Sequence, residues 1–176
     1  ATHHLSAPRP ASGAEKVRRY RPIMPIPDVA IELKPTFEAW IAFARASLRP
    51  VALWWYRSPG GTALMVDARY EYPHPERAGE TKKEVRTWCW SRDEKDGSEH
   101  WAQTRPGKLI PLYGLEQLVD RDADLVVICE GAKKAEAIKR WAPHVGIAWC
   151  GGAQSVDKTD WSPLKGRRCL IWPDFD

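Results

Sequence analysis

Cysteine is scarce in this chain, and the four present, at 89, 129, 150 and 169, include no closely spaced pair. Zinc ribbons need thiolates a few residues apart, so no zinc site is encoded here. Cys129, Cys150 and Cys169 lie in or beside apolar runs, as expected of reduced core thiols in a cytosolic protein. No signal peptide is apparent, and no uninterrupted apolar stretch approaches membrane-spanning length. The expectation is a cytoplasmic protein with no membrane partner. Internal repeats are absent as well. Charge of one sign is concentrated in one place: residues 1–22 hold Arg9, Lys16, Arg18, Arg19 and Arg21 against Glu15, which accounts for the whole net charge of +4. With its prolines and small residues, this stretch reads as a flexible basic tether able to follow a phosphate backbone; a plain linker has the same composition.

The second half of the chain carries the clearest structural signal. Residues 125–129 (Leu-Val-Val-Ile-Cys) and 167–172 (Arg-Arg-Cys-Leu-Ile-Trp) hold short continuous apolar runs, as expected of strands covered on both faces. Lys133 to Trp141 is a helix candidate with Ala137, Ile138 and Trp141 on one face and Lys134, Lys139 and Arg140 toward water. Pro143 stops it, and Val145 to Trp149 reads as another buried strand. Strand, helix, strand, loop, strand favours a parallel α/β sheet with right-handed crossovers. Ligands of such sheets sit beyond the carboxyl ends of the strands, where Glu130, Asp174 and Asp176 fall. Each carboxylate alone also suits a solvated strand end or a helix cap. Gly151 and Gly152 make a turn or admit a phosphate close to the backbone. Lys133 and Lys134 read as a solvated first helical turn; because positive charge is locally unfavourable at a helix start, a neighbouring phosphate is the alternative reason for them.

Upstream, Phe37, Trp40, Ile41, Ala44 and Leu48 predict an amphipathic helix over about 36–48. Val51–Arg57 and Thr62–Tyr72 flank the turn signal Ser58-Pro59-Gly60-Gly61 and predict a β-hairpin. On its second strand, Leu64, Val66, Ala68, Tyr70 and Tyr72 share a face, Met65, Asp67, Arg69 and Glu71 share the other, and one face is expected in the core. Residues 84–90 and 99–104 are expected to add strands around a charged loop at Asp93 to Gly97. Trp88, Trp90 and Trp101 interleave with Lys82, Lys83, Arg86, Arg92 and Arg105. That composition suits a surface that stacks bases and neutralises phosphates, although core packing is the default for tryptophan.

Glu130-Gly131 leading into a helix, Gly151-Gly152-Ala153, Asp160-Trp161-Ser162-Pro163-Leu164 and Trp172-Pro173-Asp174-Phe175-Asp176 together resemble the Toprim segment of phage and plasmid DNA primases, over roughly residues 120–176. Trp55-Tyr56-Arg57, Lys82-Lys83-Glu84, Trp88-Cys89 and Pro111-Leu112-Tyr113-Gly114-Leu115 are similar to the region before Toprim in that group. The resemblance implies an α/β fold: a Rossmann-like parallel sheet with helices over 119–176, cut short on its C-terminal side, preceded by an α+β subdomain rich in hairpins over 23–118 and the tether over 1–22. Pro111 to Leu115 would form the packing joint between the two. Beginning on Ala1 and stopping on Asp176, the chain reads as a fragment, expected to be inactive by itself. Ala132 departs from the acidic or polar residue common in similar primases, and Phe175 is bulkier than the usual residue between the aspartates.

The family's roles fall on Glu130 as general acid or base and on Asp174 and Asp176 as ligands of magnesium, with manganese the alternative ion. Magnesium prefers oxygen ligands and commonly takes one or two carboxylates together with substrate phosphates. Lys133, Lys134, Gly151 and Gly152 become the nucleotide and phosphate contacts; Lys82, Lys83, Arg86 and Trp88 become the template contacts. The implied activity is template-directed nucleotidyl transfer that makes primers for DNA replication. Its partners would be a single-stranded DNA template, nucleoside triphosphates and a replicative helicase in cis or in trans. Two alternatives stay open: another Toprim enzyme, such as an endonuclease or topoisomerase, and a non-catalytic nucleic-acid-binding module.

Overall fold

The computed structural model describes residues 19–32, 50–122, 124–140 and 144–173. The predicted helix over 36–48, most of the basic tether, Trp141, and Asp174, Phe175 and Asp176 lie outside the described residues. What is described is a mixed α/β structure with eight strands in an antiparallel and a parallel sheet and few helices. Among the described residues no helix is long and apolar enough to cross a membrane.

The antiparallel sheet grows from the predicted hairpin. β2 (Ala52–Arg57) and β3 (Ala63–Pro73) are joined through Ser58, whose N–H donates to the Thr62 carbonyl at 2.8 Å and whose own carbonyl accepts from Gly61 at 2.9 Å. β4 (Thr81–Asp93) pairs with β3 from Val66↔Trp88 to Pro73↔Thr81, so it is longer at both ends than the predicted 84–90. β5 (Glu99–Ala102) pairs with β4 across the charged loop. β1 (Tyr20–Pro22) also pairs with β4, Tyr20 opposite Asp93. Residues 20–22 are therefore sheet rather than tether. A short helix, α1 (Asp28–Glu32), follows β1 and buries Ala30.

Alternation along β3 is present, but both of its faces are covered. Val66, Ala68 and Tyr70 pack with Trp88, Trp101, Ile26 and Ala30. Met65, on the other face, packs with Tyr56 and Cys89 against residues of the parallel sheet. Asp67 shares that second face and is 5% exposed. A carboxylate is tolerated there because hydroxyl donors surround it, the condition under which a buried charge survives.

The parallel sheet has the order β7-β6-β8, with β6 (Val126–Glu130) between β7 (Val145–Trp149) and β8 (Cys169–Trp172). β6 alternates between two cores: Val127 and Cys129 face the antiparallel layer, while Val126 and Ile128 join Leu112, Leu115, Leu118, Val145, Ile147 and Leu164. Burying one such aliphatic side chain is worth about 1.5–3 kcal/mol. The joint at Leu112–Leu115 is itself part of this core, and Tyr113 bridges to Ala148 of β7.

Two expectations need correction here. The helix α2 (Ala132–Lys139) buries Ala132, Ala135 and Ile138, whereas Ala137 is exposed. The helix starts one residue earlier than predicted, and its inner face recurs every third residue from Ala132. β8 is exposed along its whole length, including Cys169, and so is not a strand covered on both faces. It is an edge strand of the described sheet, packed chiefly on β6. Gly146 on β7 lets α2 approach so closely that a Cβ there would stand 2.4 Å from the Ala135 carbonyl oxygen.

Candidate functional site

A cleft of about 320 Å³ opens between the second face of the antiparallel sheet and the carboxyl ends of β6 and β7. Its lining explains itself strand by strand. Asp67 and Arg69 alternate with buried Val66 and Ala68 on β3, and Val85 and Thr87 stand opposite Arg69 and Asp67 on β4. Across the gap are Glu130, the last residue of β6, then Gly131 and the start of α2 with Lys133, and Cys150-Gly151-Gly152 after β7. Thus Glu130, Lys133, Gly151 and Gly152, separate in sequence, meet in one cleft because two adjacent parallel strands end there.

The glycines carry the close contacts. Gly131, at φ 81°, turns the chain from β6 into α2, and its carbonyl accepts from the Lys134 N–H at 3.1 Å. A Cβ on Gly152 would lie 3.2 Å from Glu130 Oε1, so the Glu130 carboxylate rests over bare backbone. At Gly151 a Cβ would collide with Arg105 Nη1, 1.9 Å away. Arg105 reaches over this glycine to donate to Ser155 Oγ at 3.0 Å, and Ser155 Oγ donates to the Gly151 carbonyl at 3.1 Å. Trp149 Nε1 secures the turn from below, donating to the Gly152 carbonyl at 3.1 Å.

The floor is a polar hub drawn from both sheets. Asp67 Oδ2 accepts from Tyr56 OH at 2.7 Å, and Oδ1 accepts from Thr87 Oγ1 at 2.7 Å, with the Cys150 thiol 3.8 Å away. Burial raises the Asp67 carboxyl above its ordinary range, while the Thr87, Tyr56 and Cys150 donors and the Arg105 charge pull it back. Burial likewise pushes the Cys150 thiol up to about 11, which keeps it protonated at neutral pH. Arg69 is fixed on the same wall by Glu71, with Nη2 to Oε1 at 2.6 Å. Three cations, Arg69, Arg105 and Lys133, therefore line the cleft with two carboxylates, Asp67 and Glu130.

Lys134 does not line the cleft; it is exposed, and burial pushes the nearby Cys129 thiol up to about 11 against the opposing pull of the Lys134 charge. The proposed template residues do not form one surface. Trp88 is 1% exposed, packed with Trp101 in the core, so its ring offers no face to a base. Lys82 lies over the Tyr72 ring at 6.0 Å and pairs in register with it, whereas its neighbour Lys83 stands opposite Glu71 on the cleft side. Arg86 is ion-paired with Glu84 and lines an adjoining groove of about 280 Å³ together with Gln103, Thr104 and Arg105. The two hollows share Val85, Thr87 and Arg105.

β6 and β8 run parallel with Cys129 opposite Trp172, so the chain leaves β8 at the end of the sheet where Glu130 stands. The Asp174-Phe175-Asp176 motif follows in sequence, outside the described residues. Among the described residues no group of three or more His, Cys, Asp or Glu side chains is placed to share a metal ion. Asp67, Arg69 and Thr87 carry no role in the sequence reading. Asp67 reads in sequence as one of the polar residues, with Arg69 and Glu71, on the alternating face of β3. Comparison with known protein families, with curated proteins and with solved structures finds no match to this chain.

Proposed function

We propose that this chain is part of a DNA primase of the Toprim type, performing metal-dependent nucleotidyl transfer on a single-stranded template. The observation that carries this reading is the position of Glu130. It ends the central strand of a parallel sheet, lies over the Gly151–Gly152 turn, and faces a cleft lined by Arg69, Arg105 and Lys133. A cleft of this size with three cations suits the phosphates of a nucleotide. An all-oxygen donor set of Glu130, Asp174 and Asp176 fits magnesium or manganese. When bound, such an ion stabilises charge on the phosphate oxygens.

Within the cleft, Glu130 is the carboxylate available to take or return the proton of an attacking hydroxyl. Arg105 and Arg69 hold phosphate from the antiparallel layer, and Lys133 holds it from the first turn of α2. The groove past Arg86 and Thr104 continues from this cleft and is the path we assign to template. Helicase association and a cytoplasmic setting belong to the same proposal.

The test is primer synthesis on single-stranded DNA, with nucleoside triphosphates and magnesium, by protein containing this chain. Glu130→Gln should lower synthesis by about a hundredfold or more, the usual worth of a proton-transfer group, and the pair Asp174→Asn/Asp176→Asn, which would remove metal ligands, should remove most synthesis, with DNA binding largely retained in both. Undiminished synthesis in these variants would refute the assignment.

A further inference from the structure

Phosphate binding accounts for only part of the cleft. Lys133, Glu130 and the Gly151–Gly152 turn form the wall at the strand ends, while the facing wall, on the antiparallel sheet, mixes charge with apolar surface. Two residues of that wall offer nothing to an anion: Trp54 on β2 and Val85 on β4. Trp54 stands opposite Asp67 and Val85 opposite Arg69, so both lie on the face that Asp67 and Arg69 share. Val85 is 52% exposed, although valine is among the residues most often covered. The next residue along β2, Trp55, takes the other face. It packs against the core of Val66, Tyr70 and Trp88 and meets the Trp101 ring edge-on at 6.0 Å. Trp54 packs partly against the core around Tyr56 and Met65, and the rest of it lines the cleft. Among the described residues its ring meets no other aromatic ring or cation, and its indole N–H donates no hydrogen bond.

We infer that the cleft takes a whole nucleotide and that Trp54 is the binding residue for its base. This inference rests on the phosphate-binding reading of the cleft given above and says where the uncharged half of the ligand lies. A nucleoside triphosphate has two chemical halves, a flat base and an anionic tail. The cationic side chains match the tail, and the apolar surface of Trp54 and Val85 matches the base. Every base has a π face, so an indole stacks on purines and pyrimidines alike. Trp54 therefore holds the base without choosing among bases, which suits a reaction whose choice is made by a template. Val85 lines both the cleft and the adjoining groove, and so extends the apolar surface to the place where the two hollows meet. A phosphate chain alone would leave Trp54 wet; a nucleotide covers it.

Calorimetry on the purified chain in magnesium-free buffer compares inorganic triphosphate, ribose triphosphate and adenosine triphosphate. The adenosine compound should bind about tenfold more tightly than ribose triphosphate, within the worth of one base–aromatic stack. In Trp54→Leu, shown to be folded by a thermal melt, that advantage should vanish while the affinity for ribose triphosphate stays. Trp54→Phe should recover part of it. If Trp54→Leu does not fold, photolabelling of the parent chain with azidoadenosine triphosphate decides, and the label should fall on the β2 peptide that holds Trp54. Equal affinities for adenosine and ribose triphosphate in the parent, as expected if a template base covers Trp54 instead, overturn the inference. So does an advantage that survives in Trp54→Leu, the lack of any recovery in a folded Trp54→Phe, or a label absent from β2. Each of these results leaves the cleft a phosphate site. Should neither inorganic nor ribose triphosphate bind the parent, the phosphate reading falls, and this inference falls with it.

Discussion

Gly146→Ala adds one methyl group, and the structure says where it would go. The new Cβ would stand 2.4 Å from the Ala135 carbonyl oxygen, 3.1 Å from Ile138 Cβ and 3.2 Å from the Ala135 carbonyl carbon. The nearest obstacle is helix backbone, which cannot rotate aside as a side-chain tip can. Either α2 lifts off the sheet or β7 bends. Overpacking of this kind costs about 1–3 kcal/mol, which at about 2–4 °C per kcal/mol for a chain of this size is a fall of roughly 2–12 °C in melting temperature. Circular dichroism melts at one scan rate measure it. Gly60→Ala is the control: Ser58 Oγ at 3.8 Å is the nearest atom, so the same change should be neutral or slightly stabilising. Because α2 carries Lys133 in its first turn and follows Glu130 through Gly131, triphosphate affinity should fall along with stability. A Gly146→Ala melt within a degree or so of the Gly60→Ala melt would show that the helix and sheet are not in contact as described.

Two other outcomes follow from burial and charge. Trp88→Ala removes a large side chain from the core beside Trp101 and should cost about 3–5 kcal/mol. At a temperature where the variant stays folded, its affinity for single-stranded DNA should match the parent; a loss of about 1–3 kcal/mol at full folding, the worth of one base–aromatic stack, would return Trp88 to the template surface. The loop between β4 and β5 provides a pH test. The Lys95 N–H, at 2.9 Å, and then Arg19 hold the Asp93 carboxyl below its ordinary range, and the Ser98 hydroxyl and amide do the same for Asp96. A depressed carboxyl stabilises the fold above its ordinary range, and that stabilisation is lost as pH falls through the lowered value. Melting temperature should therefore drop on the acid side of the ordinary carboxylate range, and Asp93→Asn should flatten that drop. A parallel acid profile in Asp93→Asn would refute the claim.

The elements that sequence reveals best here are those whose pattern has one physical cause. Continuous apolar runs at 125–129 and 145–149 mean strands with no wet face, and both are buried as read. The same pattern misleads at 169–172, because an apolar run cannot say whether anything lies on it. Along β3, alternation places Met65 to Tyr72 on their faces but fails at Leu64, which packs with Met65 where the pairing with β2 is irregular, and it cannot tell that the polar face is also covered. Asp67 looks like a solvent residue until the hydroxyls of Tyr56 and Thr87 arrive from other strands. Tryptophan is by default a core residue; the cations around it point to a stacking platform, and the register of β4 puts Trp88 inward. Of the cleft, the half made by Glu130, Lys133, Gly151 and Gly152 is legible as strand-end punctuation. The half made by Arg69 and Arg105 depends on how two sheets dock, which no local spacing encodes.

The order of the parallel sheet, β7-β6-β8, has a kinetic side. β6, α2 and β7 are consecutive and can close on one another through a short crossover. β8 must then find the far edge of β6 with all of α2, β7 and two 3-10 turns in between. Loop-closure entropy has to be met before any of its hydrogen bonds form, so this pairing is the slower event. Until it happens, β6 has one edge unpaired and the arm that brings the chain to the Glu130 end of the sheet is undocked. The cleft walls and the antiparallel layer can thus assemble before β8 docks.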